Sequence, residues 1–366
     1  MTEIRSVGIR GAGLSGMTVA RELLRINPKL SITLFDRRAR LPNPQRTFCF
    51  FERGERQRFS GPSFAWQSVM FRGPSFERRV DVSASPYTMI RGDDFFDSLL
   101  NELESRGALF RWGCKEVVID GDSIRADGEN VTFDAIIDAA FEAREAESTM
   151  WQSFAGIWVT TECELFDPTT AILMDLQESS RAAPVSFLYI LPTSKHTALI
   201  EHTTFSPAPL PKEYHLDRCF QWMKDRGEGA FNQGEIEHGL IPMGLNVPPS
   251  MDTICVGSNA GMVRPATGYA FVATQDHAKQ VAECILRQQA APARVYPWWL
   301  TAADAVFLRA LLHAPERGGR LMERLLSRSR ADALVSFLSG NVSFGDALTV
   351  WMSVPKLAMI KSLVRI

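Results

Sequence analysis

The sequence predicts an α/β protein with a second, antiparallel β-sheet domain and a helical C-terminus. Three observations lead to this prediction. A glycine-rich turn joins a strand-like run to a helical run within residues 4–26, which is typical of a parallel sheet covered by helices. Several strand-like runs lie between residues 151 and 249, and apolar residues recur at helical spacing from 291 to 366.

Composition and charge exclude several classes of protein. Hydrophobic residues make up 45% and charged residues 22% of the 366 positions, as in globular proteins of one large or two ordinary domains. A net charge of -2 does not favour nucleic-acid binding. None of the six cysteines forms a C-x-x-C pair, which predicts reduced thiols rather than a zinc site. Because a signal peptide and an apolar run of roughly 18 residues are missing, we expect a cytosolic protein without a transmembrane helix.

The N-terminal turn has the pattern G-x-G-x-x-G, formed by Gly11, Gly13 and Gly16 between a strand-like and a helical run. The first glycine allows a tight turn, the second lets the backbone approach a pyrophosphate, and the third lets helix and strand pack closely. The N–H groups at the start of the helix, at Leu14 and Ser15, face the phosphates in such a motif. The pattern therefore predicts dinucleotide binding.

A second strand-like run, 31–35, ends in an acidic residue where this motif places the ribose ligand. Asp36 follows Gly16 by 20 residues and would accept hydrogen bonds from an adenosine ribose, with Arg37 beside it. FAD is favoured over NAD, because the motif lies at the extreme N-terminus and a further flavin-type pattern occurs late in the chain.

The predicted domain organisation is discontinuous. Strand-like runs near residues 133–139 and 253–257 return to the first domain after long excursions. The predicted parts are a cofactor-binding domain (1–150 with 250–290), a substrate-binding domain (60–90 and 151–249) and a helical C-terminal region (291–366).

Four segments, taken in order, resemble the lycopene cyclase family of bacterial β-cyclases and their plant relatives. Besides the N-terminal motif they are Trp151–Gly156; Met174-Asp175 with Tyr189–Pro192 and Leu199–Thr203; and Gly239–Gly244 with Gly257–Tyr269. Together, the I-E-x-T and P-x-T-G-Y patterns are specific, and the resemblance covers nearly the whole chain. It implies an FAD-binding, Rossmann-like domain of the p-hydroxybenzoate-hydroxylase-like fold, followed by a substrate sheet.

The resemblance also implies a reaction without net redox change, of the isomerase (intramolecular lyase) type. In this family an acid protonates the terminal alkene of a linear polyprenyl substrate, and an internal double bond closes the ring. Reduced FAD stabilises the cation, and NADPH supplies the electrons that keep the flavin reduced. The implied partner is a lipophilic polyene, either lycopene or a prenylated metabolite.

Three residues are candidates for proton transfer. Glu201 lies in an apolar strand, where burial raises the pKa of a carboxyl, and it matches the family's essential glutamate, so we expect it to be the general acid. Asp175 matches the family's M-D pair and either assists Glu201 or is a turn residue. His202 is either a second proton carrier or a structural histidine.

The resemblance carries further cofactor-binding candidates. Arg91 precedes a predicted helix at a position that commonly faces the flavin or its phosphates in this fold. The second flavin-binding segment would comprise Gly257, Gly261, Pro265, Thr267, Gly268 and Tyr269. Trp66, Trp151, Trp158 and Trp222 are candidates for lining an apolar tunnel, or for ordinary core packing.

Three departures from the family pattern leave the substrate open. Residues 47–51 replace a tryptophan–serine–phenylalanine–histidine run, His202 stands where an acid is usual, and residues 138–141 replace D-x-R-G. Two alternatives are a redox flavoenzyme of the same fold, namely a monooxygenase or polyprenyl reductase, and a non-catalytic carotenoid- or flavin-binding protein. The basic, apolar stretch 347–366 is either a peripheral membrane contact or a packed helix.

Overall fold

The computed structural model describes residues 3–40, 46–52, 62–141, 147–227, 231–245, 253–290 and 295–353. The strands in these ranges are β1 (Ser6–Arg10), β2 (Ser31–Phe35), β3 (Thr47–Phe51), β4 (Ser63–Trp66), β5 (Ser68–Gly73), β6 (Phe76–Asp81), β7 (Tyr87–Arg91), β8 (Leu109–Arg111), β9 (Val117–Asp120), β10 (Ser123–Ala126), β11 (Glu129–Thr132), β12 (Ala135–Asp138), β13 (Ser148–Thr161), β14 (Thr170–Leu176), β15 (Val185–Pro192), β16 (Thr197–Ser206), β17 (Phe231–Leu245) and β18 (Ile254–Cys255). The helices are α1 (Leu14–Ile26), α2 (Gly92–Ser105), α3 (Lys212–Lys224), α4 (Phe271–Leu286), α5 (Trp298–His313), α6 (Gly318–Arg328), α7 (Ala331–Leu338) and α8 (Phe344–Ser353).

A five-stranded parallel sheet, in the order β18–β12–β1–β2–β8, forms the first layer. The apolar faces of α1, α2 and α4 pack with it into one buried core. Helix α1 is amphipathic and ends at Asn27, because Pro28 cannot continue the helical hydrogen bonds. The carboxyl ends of β1 and β2 meet the N-terminus of α1, where a nucleotide site is expected in such a sheet.

A seven-stranded sheet in the order β17–β13–β16–β15–β14–β5–β6 forms the second large unit. All its neighbouring strands are antiparallel except β14 and β5. Because side chains alternate along a strand, the sheet has two buried faces. One face packs on α3, and the other contributes to a core shared with helices α5–α8.

Two small sheets complete the fold, β3–β7–β4 and β11–β10–β9. Strands β3 and β7 lie between the two large units, since Phe50 packs in the first core and Phe51 and Tyr87 in the second. Among the described residues, no helix is both long and apolar enough to cross a bilayer.

Candidate functional site

The glycine-rich turn lines an open cleft with a volume of about 1490 Å³. Gly11 has a φ of +99°, and a Cβ atom on Gly16 would lie 1.9 Å from the carbonyl oxygen of Gly11. Neither position tolerates a side chain, so these glycines bring the turn against α1. Gly13 caps α1 without a side-chain hydrogen bond, which leaves the first N–H groups of the helix facing the cleft.

Asp36 lies in the same cleft and holds the turn. Its Oδ2 atom accepts a hydrogen bond of 2.7 Å from the N–H group of Ala12, and Oδ1 accepts one of 2.8 Å from Nε of Arg38. Burial alone would raise the pKa of Asp36, but Arg38 and the N–H donors hold it below its usual value. Arg37, Arg38 and Lys115 also line the cleft, which makes it suited to an anionic ligand.

The second predicted segment meets the first at the cleft. Gly257 has a φ of +72°, and a Cβ atom there would lie 2.2 Å from Oγ of Ser15. Residues 257–260 form a short 3₁₀-helix that ends at Gly261, whose φ is +73°. Asn259 donates a hydrogen bond of 2.5 Å to the carbonyl oxygen of Ala140 and lines the cleft. The two glycine-rich turns therefore lie against each other and line the same cleft.

The P-x-T-G-Y turn adds a buried acceptor without a partner. A Cβ atom on Gly268 would lie 2.3 Å from Oε1 of Gln152, so the two groups are in close contact. That amide oxygen is buried and has no hydrogen-bond partner in the described part of the chain. An unsatisfied buried amide is unfavourable and points to a ligand with a donor. The glycine cradle, the free helix N-terminus and this amide fit a flavin dinucleotide.

A buried ion pair fixes the same turn to the C-terminal helices. Arg264 and Asp304 are both at most 1% exposed, and Nε of Arg264 lies 3.0 Å from Oδ2 of Asp304 on α5. The guanidinium also lies over the ring of Phe337 on α7, with 4.2 Å to the centroid. Pro265 follows this arginine directly, and the N–H group of Thr267 donates a 3.3 Å hydrogen bond to its carbonyl oxygen. Helices α5 and α7 therefore help to position the turn.

Arg91 has different neighbours from those expected. It lies at the start of α2 and forms ion pairs with Asp93 at 3.2 Å and with Glu235 at 2.5 Å. Its guanidinium is 5.8 Å from the ring centroid of Trp158. It does not line the cleft around the N-terminal turn, as far as the described residues define that cleft. Flavin binding by Arg91 stays a prediction.

Two glutamates from different strands meet over a glycine at the face of the seven-stranded sheet opposite to α3. Gly156 on β13 pairs with Glu201 on β16 and with Glu237 on β17. The two carboxyl groups interact, since each one shifts the pKa of the other. Glu237 is 3% exposed, and the hydroxyl of Thr203 donates a 3.0 Å hydrogen bond to Oε1 of Glu201. Burial raises the pKa of Glu201 well above its usual value, and the charge of Glu237 raises it further.

Asp175 and His202 are not brought to Glu201. Asp175 pairs with Leu188, and Leu188 pairs with His202, so the three side chains share the sheet face that packs on α3. Oδ2 of Asp175 accepts a 3.3 Å hydrogen bond from Nε1 of Trp222 on that helix. Because His202 is the next residue after Glu201 in a strand, its side chain points to the opposite face. Their roles in proton transfer stay predictions.

His202 belongs to a buried polar chain on this opposite face. Its Nε2 atom lies 2.9 Å from Oγ of Ser186, and its Nδ1 atom lies 2.9 Å from Nδ1 of His215 on α3. Nε2 of His215 continues the chain to Oγ of Ser153, at 3.2 Å. Both histidines are 0% exposed. The chain satisfies every ring nitrogen and links α3 to the sheet.

A narrow apolar cavity, with a volume of about 50 Å³, lies on the Glu201 side of the sheet. Tyr189 and Tyr269 line it, and both also face Glu201. Tyr189 pairs with Glu201 in the sheet. Burial is the main cause that raises the pKa of each phenol, and the charge of the Glu201 carboxyl raises it further. Helices α5–α8 form the other wall, which includes Met322 and Trp351. Thus an apolar ligand in the cavity would end near the acid.

The predicted tryptophans do not line this cavity; its aromatic walls are formed mainly by phenylalanine and tyrosine. Trp66 is 1% exposed and donates a 3.0 Å hydrogen bond to the carbonyl oxygen of Pro192, as a core residue does. Trp222, on α3, stacks on Phe166.

Sequence reasoning missed Glu237 and its donor Thr47. The alternation of Glu235-Ile236-Glu237 was a signal, since it is typical of a strand with two carboxyls on one face.

Comparison with solved structures identifies the fold. A geranylgeranyl bacteriochlorophyll reductase-like protein from Thermoplasma acidophilum matches with a TM-score of 0.59 at 16% identity, covering 99% of this chain and 96% of that chain. The protein CtdE in complex with FAD matches with a TM-score of 0.56 at 13% identity, covering 96% of this chain and 100% of that chain. The fold is that of the p-hydroxybenzoate-hydroxylase-like flavoproteins, which confirms the predicted fold class.

Sequence comparison identifies the family. Lycopene beta-cyclase from Pseudescherichia vulneris is 26% identical over 289 residues, 73% of this chain and 71% of the relative. Neoxanthin synthase from Solanum tuberosum is 23% identical over 233 residues, 58% of this chain; the match spans 47% of that relative, less than half its length. The family model for "Lycopene cyclase protein" matches residues 7–364. The chain therefore belongs to the lycopene cyclase family.

Proposed function

We propose that the protein is a flavin-dependent cyclase that closes a ring at the end of a linear polyene without net redox change. The observation that carries the proposal is the position of Glu201. Burial raises the pKa of its carboxyl group well above the usual value. The group faces the tyrosines of an apolar cavity and lies within the fold of a flavoprotein. Lycopene is the default substrate, because the curated relatives include lycopene beta-cyclases.

Glu201 carries both proton transfers in this reaction. Its O–H group gives a proton to the terminal alkene carbon, and an internal double bond then attacks the resulting cation and closes the ring. The carboxylate of Glu201 takes a proton back from the ring, so the product has the mass of the substrate. The ring faces of Tyr189 and Tyr269 would stabilise the positive charge in the cavity.

The cofactor assignment follows from the cleft. Gly11, Gly13 and Asp36 would hold the adenosine and pyrophosphate, and Gly257 and Gly268 would approach the flavin side. Bound in its reduced form, with NADPH as the electron source, FAD would supply negative charge that stabilises a cation beside it. The apolar walls around Tyr189 and Tyr269 would keep water from the acid, and Thr203 would hold its carboxyl group.

The test is anaerobic incubation with FAD, dithionite and lycopene, followed by chromatography and mass spectrometry. Wild-type protein is expected to give a product of unchanged mass and altered retention. Glu201→Gln removes the acid and is expected to abolish the product while FAD stays bound; Glu213→Gln, at an exposed position on α3, is the control. Undiminished cyclisation by Glu201→Gln would refute the assignment.

A redox reaction is the second candidate, because the similar structures include a reductase-like protein. It predicts a product that differs by two hydrogens, or by an oxygen once air is admitted. The same incubation distinguishes the two functions, since only cyclisation leaves the mass unchanged.

We also propose peripheral contact with a membrane, from which a lipophilic substrate could enter. Trp298, Phe344 and Met352, on α5 and α8, are 69%, 58% and 60% exposed, and Trp351 of the same helix lines the apolar cavity. Most of the basic, apolar C-terminal stretch predicted for this role, residues 354–366, lies outside the described residues. Co-sedimentation with lipid vesicles, weakened in Phe344→Ser with Met352→Ser, tests this proposal.

A further inference from the structure

We propose that Glu237 is the ionised partner of Glu201 in a carboxylate pair that shares one proton, and that it keeps Glu201 protonated at neutral pH. The inference rests on the proposed function for its role in turnover, but the pair itself is visible in the geometry. Glu237 acts through Glu201 and is therefore a positioning residue.

The glycine between the two strands makes the pair possible. Neighbouring strands lie about 4.8 Å apart, so β16 and β17, on either side of β13, are separated by roughly 10 Å. Their side chains can meet only by leaning over the central strand. A Cβ atom on Gly156 would lie 3.0 Å from Cβ and 3.3 Å from Cγ of Glu201, which shows that Glu201 occupies the space above this glycine.

The donors around the pair assign the proton. The N–H group of Thr47 donates a 2.7 Å hydrogen bond to Oε2 of Glu237, and the hydroxyl of Thr47 donates one of 2.8 Å to Oε1. Burial raises the pKa of Glu237 as well, and the hydrogen bonds from Thr47 and the positive charge of Arg46 act against that rise. In the described part of the chain, the side-chain donor to Glu201 is the neutral hydroxyl of Thr203. Both oxygens of Glu237 thus accept hydrogen bonds, so a proton that the two carboxyls share is assigned to Glu201.

The other titratable groups that face the pair are weak acids that stay neutral. They are the thiol of Cys49 on β3 and the phenols of Tyr189 and Tyr269, and burial raises the pKa of each. Within the described part of the site, Glu237 is therefore the charged group that acts on Glu201, and Arg46 is the cation that acts on Glu237. After Glu201 gives up its proton, two negative carboxylates stand side by side, which favours return of a proton to Glu201 from the ring.

The activity test is the pH dependence of cyclisation in Glu237→Gln. Activity requires protonated Glu201 and is lost as the pH rises through its pKa. Removing the neighbouring negative charge lowers that pKa, so the alkaline limb should move down by about 1–3 pH units. Activity at neutral pH should fall at least tenfold and recover at lower pH. Glu235→Gln, two residues away on β17, removes a carboxylate paired with Arg91 and should leave the limb in place.

Carboxyl ¹³C NMR of FAD-bound protein labelled at glutamate provides a measurement without turnover. Wild type should show one glutamate, missing in Glu201→Gln, that titrates well above the usual range, and its midpoint should fall in Glu237→Gln. A limb that does not move in Glu237→Gln, or a uniform loss of activity at every pH, would overturn the inference. So would a wild-type spectrum with no such carboxyl. The titration without any cyclisation would refute only the proposed function.

Discussion

The two buried histidines of the α3 side are expected to make stability fall between pH 7 and pH 5. Burial, together with the charge of its neighbour His215, lowers the pKa of His202 to about 3. Burial lowers the pKa of His215 to about 4, although hydrogen bonds with the backbone of His202 and Leu210 act in the opposite direction. In the unfolded chain both titrate near pH 6.5. The unfolded state therefore binds protons below pH 6.5 that the folded state refuses until pH 3–4.

The magnitude follows from linkage between protonation and folding. Stability is complete above about pH 6.5 and is lost as the pH falls, because the unfolded state then binds more protons. At pH 5 each unfolded histidine is almost fully protonated, 1.5 units below its midpoint, which costs the fold about 2 kcal/mol for each histidine relative to pH 7. The pair together should cost about 4 kcal/mol.

Urea unfolding at pH 7, 6 and 5, followed by circular dichroism with FAD in fixed excess, measures this effect. His202→Gln removes one titrating group and should reduce the loss between pH 7 and pH 5 by about 2 kcal/mol. His313→Gln, exposed at the end of α5, should leave the loss unchanged. Because the raised pKa of Glu201 makes its own contribution in the opposite direction over this range, the comparison between variants decides. An equal loss in wild type and His202→Gln would refute the reasoning.

Two substitutions test other contacts. The methyl group of Gly156→Ala would press against Glu201, so this variant should lose about 1–3 kcal/mol of unfolding free energy and cyclise more slowly at neutral pH. Gly234→Ala makes a similarly close contact, 3.1 Å, away from the carboxyls and should affect stability alone. Equal activity losses in the two variants would argue against the role of Gly156. Asp304→Ala leaves the buried guanidinium of Arg264 unpaired and should lower the free energy of unfolding in urea by about 3–5 kcal/mol. It should also weaken FAD binding, measured by fluorescence. A loss below about 1 kcal/mol would contradict a role of this ion pair in fixing the turn.

The cofactor half of the fold could be predicted because its requirements are local. Glycines at 11, 13 and 16 between a strand and a helix are typical of a tight turn packed against the helix. The structure has this turn, and the N–H group of Ala12 in it donates a hydrogen bond to Asp36. Strand-like runs that overlap β13, β14, β15 and β16 could also be predicted, because each contains a stretch of apolar or β-branched residues. Their order in the sheet, with β17 beside β13, was not visible, because it depends on pairing between residues far apart in the chain.

The site could be predicted only in part for the same reason. Glu201 stands in a motif that a resemblance identifies, but Glu237 reaches it through a strand order that no local pattern encodes. The donor Thr47 lies in the segment that departs from the family pattern, so the resemblance pointed away from it. Asp175 shows the opposite failure, since a matching motif did not reveal which face of the sheet it occupies.

Alternation along β16 separates the chemistry of this protein from its packing. Glu201 and Thr203 face the cavity, whereas His202 and Thr204 face α3. A side chain substituted at one of these positions therefore makes its contacts on one face of the sheet. The histidine that replaces the usual acid at position 202 is therefore placed to alter how α3 is held and how stability depends on pH. The protonation of Glu201 depends instead on β3 and β17. Thr47 on β3 donates a hydrogen bond to Glu237 on β17, and the negative charge of Glu237 raises the pKa of Glu201. Departures in β3 are thus the ones expected to change the reaction.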